Sequence, residues 1–347
     1  MKRTLLFLLT LLMVFTLVAC ATPATEEPAA EEPAAEEPAA EEPAAEPFRV
    51  AVVMPSAIND LAFSQSMYDA LVKIQTEMGG EANFEIAYSD GMFVVEDAAA
   101  AIRDYATQGY DLIIAHGSQY GAPLQEIAPD FPETSFAWGT AGDTFGLPNV
   151  FAYEAYSQEG GYVNGVMAAS LSTSGVIGVV GPIEVGDAKL YVDGFKAGAL
   201  ATKPDIQINV NYIGSFSDVA LASEAARTHA EAGADVLTGS AQMVVGAIGV
   251  AEENNLLWFG TQSDQASLAP KNVVASQVYD WTVVINDIIS LMKSGTLGGK
   301  SYAISLENGG LVIAFNPGYS LSAEVKALAD QTIQGISDGS ITINLGE

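Results

Sequence analysis

Polar and aromatic residues gather wherever an apolar run of this sequence ends. Asn59, Asp60 and Phe63 follow "FRVAVVM"; Tyr88, His116, Trp138 and Phe216 close later runs; Gln242, and then Gln262 and Asp264, follow two more. Amides and carboxylates in such places take up hydroxyl and ring N–H donors. Aromatic faces stack planar rings, worth about 1–3 kcal/mol per nucleobase. The set suits a neutral, ring-containing polar ligand. Each residue also has a plainer role. Asn59 or Asp60 can cap the helix expected over Leu61–Met78, and Phe63 lies on that helix's apolar stripe. Trp138 and Tyr88 can be packing residues, and His116 can make a structural hydrogen bond. Asp218 opens a helix and reads as a cap, while His229 in "ARTHAEAG" reads as a surface residue.

Catalytic candidates are few. One cysteine and two well-separated histidines exclude cysteine-ligated zinc and leave no histidine pair at metal spacing. There is no Gly-x-Ser-x-Gly elbow, no Walker loop and no Gly-x-Gly-x-x-Gly after the first apolar run. Carboxylates are abundant, so residue types alone leave acid/base and calcium chemistry open. Binding without turnover is the expectation, with no cofactor and no metal.

The elements that must hold these residues alternate. β-branched runs such as "RVAVVM", "DLIIAHG", "VIGVVG" and "LLWFG" are separated by helical patterns. That alternation implies parallel sheets covered by helices on both faces. The segment from Ser89 to Ser118 is echoed from Ser217 to Ser240: each reads Ser-Asp, an alanine-rich helix, Gly-x-Asp, an apolar strand and Gly-Ser. Two similar α/β lobes follow from the echo. Ligands of open parallel sheets bind at the carboxyl ends of the strands, so two facing lobes would direct these loops into one cleft. The net charge of −30 argues against nucleic acid and anionic headgroups as partners.

The chain begins "MKRTLLFLLTLLMVFTLVAC", with a basic start, an apolar core and small residues before Cys20. This is the order of a secretory signal. "LVAC" resembles a bacterial lipobox, which implies cleavage after residue 19 and a lipid on Cys20; an uncleaved anchor is the alternative. "EEPAA" then recurs four times, a charged, proline-punctuated composition expected to act as an extended tether over 20–47.

The body resembles the basic membrane protein family, substrate-binding lipoproteins of ABC importers that include PnrA-like purine nucleoside receptors. The resemblance rests on "INDLAFSQSMYDAL", "GVVGPIEV", "DGFKAGA", "YIGSFSD" and "QSDQ" in that order. It implies an α/β type I periplasmic-binding-protein fold, two doubly wound parallel-sheet lobes joined by three hinge strands crossing near Tyr153, Val278 and Leu311. The lobes would be 48–153 with 279–310, and 154–278 with 311–347. In nucleoside-binding members an Asp/Asn-Asp-Lys-Ser-Phe-Asn-Gln stretch binds and stacks the base. Asn59, Asp60, Phe63 and Gln65 match it, Leu61-Ala62 replaces Lys-Ser, and Phe216 matches the stacking aromatic of the other lobe.

Two positions depart from the family pattern. Gln262 stands where a ribose-binding strand end commonly carries Asp, and Tyr279 where Lys is frequent. Sugar recognition is therefore expected to differ. The resemblance implies a lipid-anchored, extracytoplasmic transport receptor for a purine nucleoside or related nucleobase compound. It would act as a monomer with an ABC permease. A surface sensor or adhesin and a nucleoside hydrolase are the alternatives.

Overall fold

The computed structural model describes residues 46–346; the leader, Cys20 and the tail as far as Ala45 lie outside the described residues. The first part of the chain forms β1 (Phe48–Val53), α1 (Phe63–Glu77), β2 (Phe84–Ser89), α2 (Val95–Thr107), β3 (Leu112–His116), α3 (Gly121–Ile127), β4 (Ser135–Gly139) and β5 (Val150–Ala155). There follow α4 (Ser157–Leu171), β6 (Val176–Gly181), α5 (Gly186–Thr202), β7 (Gln207–Tyr212), α6 (Val219–Glu231), β8 (Val236–Gly239), α7 (Val244–Glu253), β9 (Leu257–Gln262) and β10 (Val273–Tyr279). The last are α8 (Thr282–Lys293), β11 (Ser301–Ile304), β12 (Leu311–Phe315) and α9 (Ala323–Ser337).

The strands build two six-stranded sheets, ordered β11-β5-β4-β3-β1-β2 and β12-β10-β9-β8-β6-β7. Both contain the doubly wound order in which the second strand lies outside the first and the third lies inside it. The winding reverses between β1 and β3 in one sheet and between β6 and β8 in the other. β1 pairs in parallel with both neighbours, Val50 opposite Ile86 on one side and Leu112 on the other. Its run of apolar residues is explained by burial on both faces. Val50 and Val52 enter one core cluster, and Ala51 and Val53 enter another. One pairing departs from the expected parallel pattern, because β12 runs antiparallel to β10. The link Ser305–Gly310 carries the chain from β11 at the edge of the first sheet to β12 at the edge of the second.

Helix α1 begins two residues later than the periodicity suggested, at Phe63. Leu61 has φ 56°, in the left-handed region, so the helix cannot start there. His229 is likewise not a surface residue. It is 1% exposed and donates from Nε2 to the Val179 carbonyl at 3.1 Å. Gly178 makes the room: a Cβ there would lie 2.5 Å from that of His229.

Helices α4 and α5 pack backbone to backbone. A Cβ at Gly165 would lie 2.1 Å from the Phe195 carbonyl oxygen, and one at Gly198 2.1 Å from that of Tyr162. This approach fixes where the amino end of α5 emerges beside the second sheet.

Candidate functional site

A cavity of about 260 Å³ lies at the carboxyl ends of strands from both sheets. Gly117 and Gln119 follow β3, and Val185 and Asp187 follow β6. Ala241 and Gln242 follow β8, so the lining sits at both points where the winding reverses. These are the crevices in which open α/β sheets bind ligands. Phe63 and Thr140 add to the lining after β1 and β4, Phe216 and Gln262 after β7 and β9. A second cavity of about 440 Å³ is a charged groove along β10 and β12, lined by Asp69, Lys73, Asp264 and Asp280 among others. Of the strand-end aromatics it gathers Tyr279 alone, whereas Phe63 and Phe216 meet in the first cavity, which is therefore the candidate site.

Phe63 is held from two directions. Asp60 accepts hydrogen bonds from the amides of Ala62, Ser64 and Gln65 at 2.9, 3.1 and 3.1 Å, and from Ser56 Oγ at 2.5 Å. A carboxylate here satisfies the open amides of the first turn and complements the helix dipole. Gln65 Oε1 accepts from the Leu61 amide at 2.9 Å. On its other side the Phe63 ring lies on His116, with centroids 3.9 Å apart and planes 10° from parallel.

His116 is fully buried. Its Nε2 lies 3.1 Å from the Phe63 carbonyl and its Nδ1 2.7 Å from the Tyr153 hydroxyl. A carbonyl can only accept, so Nε2 carries the proton and Nδ1 accepts from Tyr153. Loss of solvent pushes the His116 pKa down to about 3, partly opposed by the bond to the Phe63 carbonyl. The imidazole is neutral and seats the aromatic ring that faces the cavity.

Asp187, in the first turn of α5, is the polar centre of the lining. Thr140 Oγ1 donates to Oδ1 at 3.2 Å; Tyr279 Oη and Gln262 Nε2 donate to Oδ2 at 3.0 and 3.4 Å. Burial raises the carboxyl pKa above its ordinary value, and these three donors oppose the rise. Tyr279 is 2% exposed, and its only contribution to the site is made through Asp187. Gln262 is 3% exposed, and its Oε1 has no hydrogen-bond partner among the described residues. Gln262 and Ala241 have φ of 73° and 72°. Non-glycine residues in that region cost about 1–3 kcal/mol each and concentrate at ligand sites.

The residues singled out in the sequence are thus divided. Phe63, Phe216, Gln242 and Gln262 line the cavity. Asp60 and His116 stand directly behind Phe63, and Tyr279 behind Asp187. Asn59 is exposed and outside the lining. Trp138 donates from Nε1 to the Gly117 carbonyl at 3.2 Å and stacks on Phe145, bracing the β3 loop from behind. Asp264 is exposed, borders the charged groove and accepts from the Ala266 amide. Tyr88 packs edge-on against Tyr68, and Asp218 caps α6 through the Leu221 amide. Asp187, Thr140 and Phe93 line the cavity without having been singled out. Asp187 was within reach, since it follows the strand "VIGVVG" by the same rule that selected the others.

Residues 48–344 match the family described as ABC transporter substrate-binding protein PnrA-like. A purine-binding protein of Brucella abortus is 28% identical over 71% of this chain and 69% of its own length. The transcriptional activator protein med of Bacillus subtilis is 27% identical over 75% and 80%. The ABC transporter nucleoside-binding protein BmpA of Lactococcus lactis is 26% identical over 83% and 86%. An ABC transporter system solute-binding protein from Conexibacter woesei superposes with a TM-score of 0.71 at 23% identity, covering 86% of this chain and 99% of that one. The architecture is the type I fold of periplasmic solute-binding proteins. No helix among the described residues is long and apolar enough to cross a membrane. With the match spanning nearly all of the described body, and the cavity where this architecture binds its ligands, the chain belongs to the PnrA-like family of ABC-transporter substrate-binding proteins.

Proposed function

We propose that the protein is the extracytoplasmic receptor of an ABC importer, lipidated at Cys20 and tethered by its Glu/Pro/Ala tail. It captures a purine nucleoside or related nucleobase compound between two closing lobes, 48–153 with 279–310 and 154–278 with 311–347, and delivers it to a permease. The observation that carries the ligand class is the presence of Phe63 and Phe216, from elements of different sheets, in one cavity that also holds a carboxylate and amides. Two aromatic faces suit a planar ring, and the polar groups suit its edge. The names of the B. abortus and L. lactis relatives, purine-binding and nucleoside-binding, support the same class. Asp187 is the one acidic residue in the lining, which leaves a hydrolase reading without a second acid or a carboxylate set for calcium. The name of the B. subtilis relative favours a sensing role as second reading; a permease and ATPase encoded beside the gene would favour transport.

The test is thermal unfolding of the purified protein, unfolded and refolded first to remove any carried-over ligand. A compound that binds only the folded state raises the melting temperature with concentration. Stabilisation by purine bases or nucleosides that is lost in Phe63→Ala supports the reading. A response confined to sugars or amino acids would refute the ligand class.

A further inference from the structure

We propose that Asp187 is the specificity-determining acceptor of the cavity and selects a free purine base bearing a ring N–H donor over its riboside and over nucleotides. The inference rests on the nucleobase reading above and narrows it.

A carboxylate offers about four lone-pair positions. At Asp187, Thr140, Tyr279 and Gln262 occupy three, the last at a long 3.4 Å, and the residue lines the cavity. Gln262 turns its Nε2 toward that carboxylate, while its Oε1 is buried and without a partner among the described residues. The reverse amide orientation would set Oε1 against Asp187, oxygen to oxygen, so the assignment follows from the contact. One acceptor position of Asp187 is left for a donor on the ligand, and a ring N–H, such as N1–H of guanine, fills it.

The same contacts turn against a ribose. Tyr279 Oη and Gln262 Nε2, at the two positions where the sequence departs from the family pattern, are spent on Asp187 rather than presented to ligand hydroxyls. The cavity, about 260 Å³, falls below the ~300 Å³ at which drug-sized ligand pockets begin. Phosphate meets a separate obstacle: the lining has no Lys or Arg, and its one ionisable residue is acidic.

The experiment is titration calorimetry of the full refolded chain with guanine, 1-methylguanine, guanosine and guanosine monophosphate. The proposal expects guanine to bind at least about tenfold more tightly than guanosine, the monophosphate to give no heat, and Asp187→Asn to weaken guanine by about 10- to 100-fold, the range for a hydrogen bond to a charged group. 1-Methylguanine, which lacks the N1–H donor, should bind wild type weakly and lose little more in Asp187→Asn. Guanosine binding as tightly as guanine would overturn the proposal. So would an unchanged guanine affinity in Asp187→Asn while Phe63→Ala abolishes binding; that pair of results would leave the nucleobase reading standing. If Asp187→Asn fails to fold, the methylguanine comparison on wild type decides alone: equal affinity for guanine and 1-methylguanine refutes the acceptor. Silence from every purine base and nucleoside would remove the nucleobase reading itself, and the inference with it.

Discussion

His116 makes the seat of the stacking ring sensitive to acid, and the size of the effect can be worked out. Its imidazole is neutral in the folded protein, with a pKa lowered to about 3 by burial from the ordinary 6.5. The unfolded chain titrates at the ordinary value. Between the two, unfolding takes up a proton, so stability is complete above pH 6.5 and falls as the pH drops toward 3. Each pH unit in that window costs about 1.4 kcal/mol, which gives roughly 2 kcal/mol at pH 5 relative to pH 7. His229 is shifted in the same direction, by desolvation first, so the wild-type curve alone does not isolate His116. The comparison is with His116→Gln, whose amide keeps a donor for the Phe63 carbonyl but has no proton to gain. Urea unfolding at pH 7 and pH 5 gives the four free energies. The variant should be less stable at pH 7, having lost the ring stack, yet should lose about 2 kcal/mol less than wild type on acidification. Parallel losses in the two proteins would refute the neutral, buried imidazole and the account of how Phe63 is held.

Truncating either ring should weaken a purine ligand by about 1–3 kcal/mol, and Phe216→Ala should match Phe63→Ala to within that range in calorimetry. Gly198→Ala drives a methyl group into the Tyr162 carbonyl and should lower stability by about 1–3 kcal/mol in thermal unfolding. The same variant should weaken ligand binding, because α5 carries Asp187; unchanged binding in a folded variant would mean that Asp187 is not positioned by this contact. Ala241→Gly relieves a left-handed alanine and should leave stability unchanged or raised by up to about 1 kcal/mol, whereas Ala241→Val should lower it.

The doubly wound parallel sheets were legible because their signal is local and repeated: apolar runs buried on both faces, separated by helical periodicity. The reversal of β12 was not, since no residue type in the strand sets its direction against β10. His229 looked like a surface residue because its helix is polar and rich in alanine; what admits the ring is Gly178, fifty-one positions away in sequence and adjacent only in the fold. At the site, strand ends were a sound guide to which loops matter and a weaker one to which side chain in a loop faces the cavity. "INDLAF" shows the difference. Asn59 points outward, Asp60 is consumed by the helix amides, and Phe63 reaches the lining. The loop after β6 went unread at Asp187 because nothing in "GPIEVGDAK" distinguishes a helix-capping aspartate from one that collects a threonine, a tyrosine and a glutamine from three other elements.

If the two lobes close over the ligand as proposed, those three donors couple binding to closure. Thr140 follows β4 of the first sheet, and Asp187 opens α5 beside the second, so their bond spans the two halves of the cleft. Ser263 Oγ to the Ala62 carbonyl and Gln265 Nε2 to the Leu61 carbonyl, at 2.8 and 3.3 Å, span them again beside Phe63. Separating the halves would expose Asp187 to water and return its carboxyl toward its ordinary pKa. A ligand shifts such an equilibrium only by its difference in affinity for the two arrangements. A ring stacked on Phe63 alone would bind both equally and shift nothing. One that also meets Phe216 and donates to Asp187 makes those contacts only when the halves are together. The polar anchor and the closing signal are then the same group. On this reasoning Asp187→Asn should reduce the ligand-induced compaction measured by small-angle scattering at saturating ligand, in addition to reducing affinity. Full compaction in a saturated variant would separate the two roles and assign closure to the aromatic pair alone.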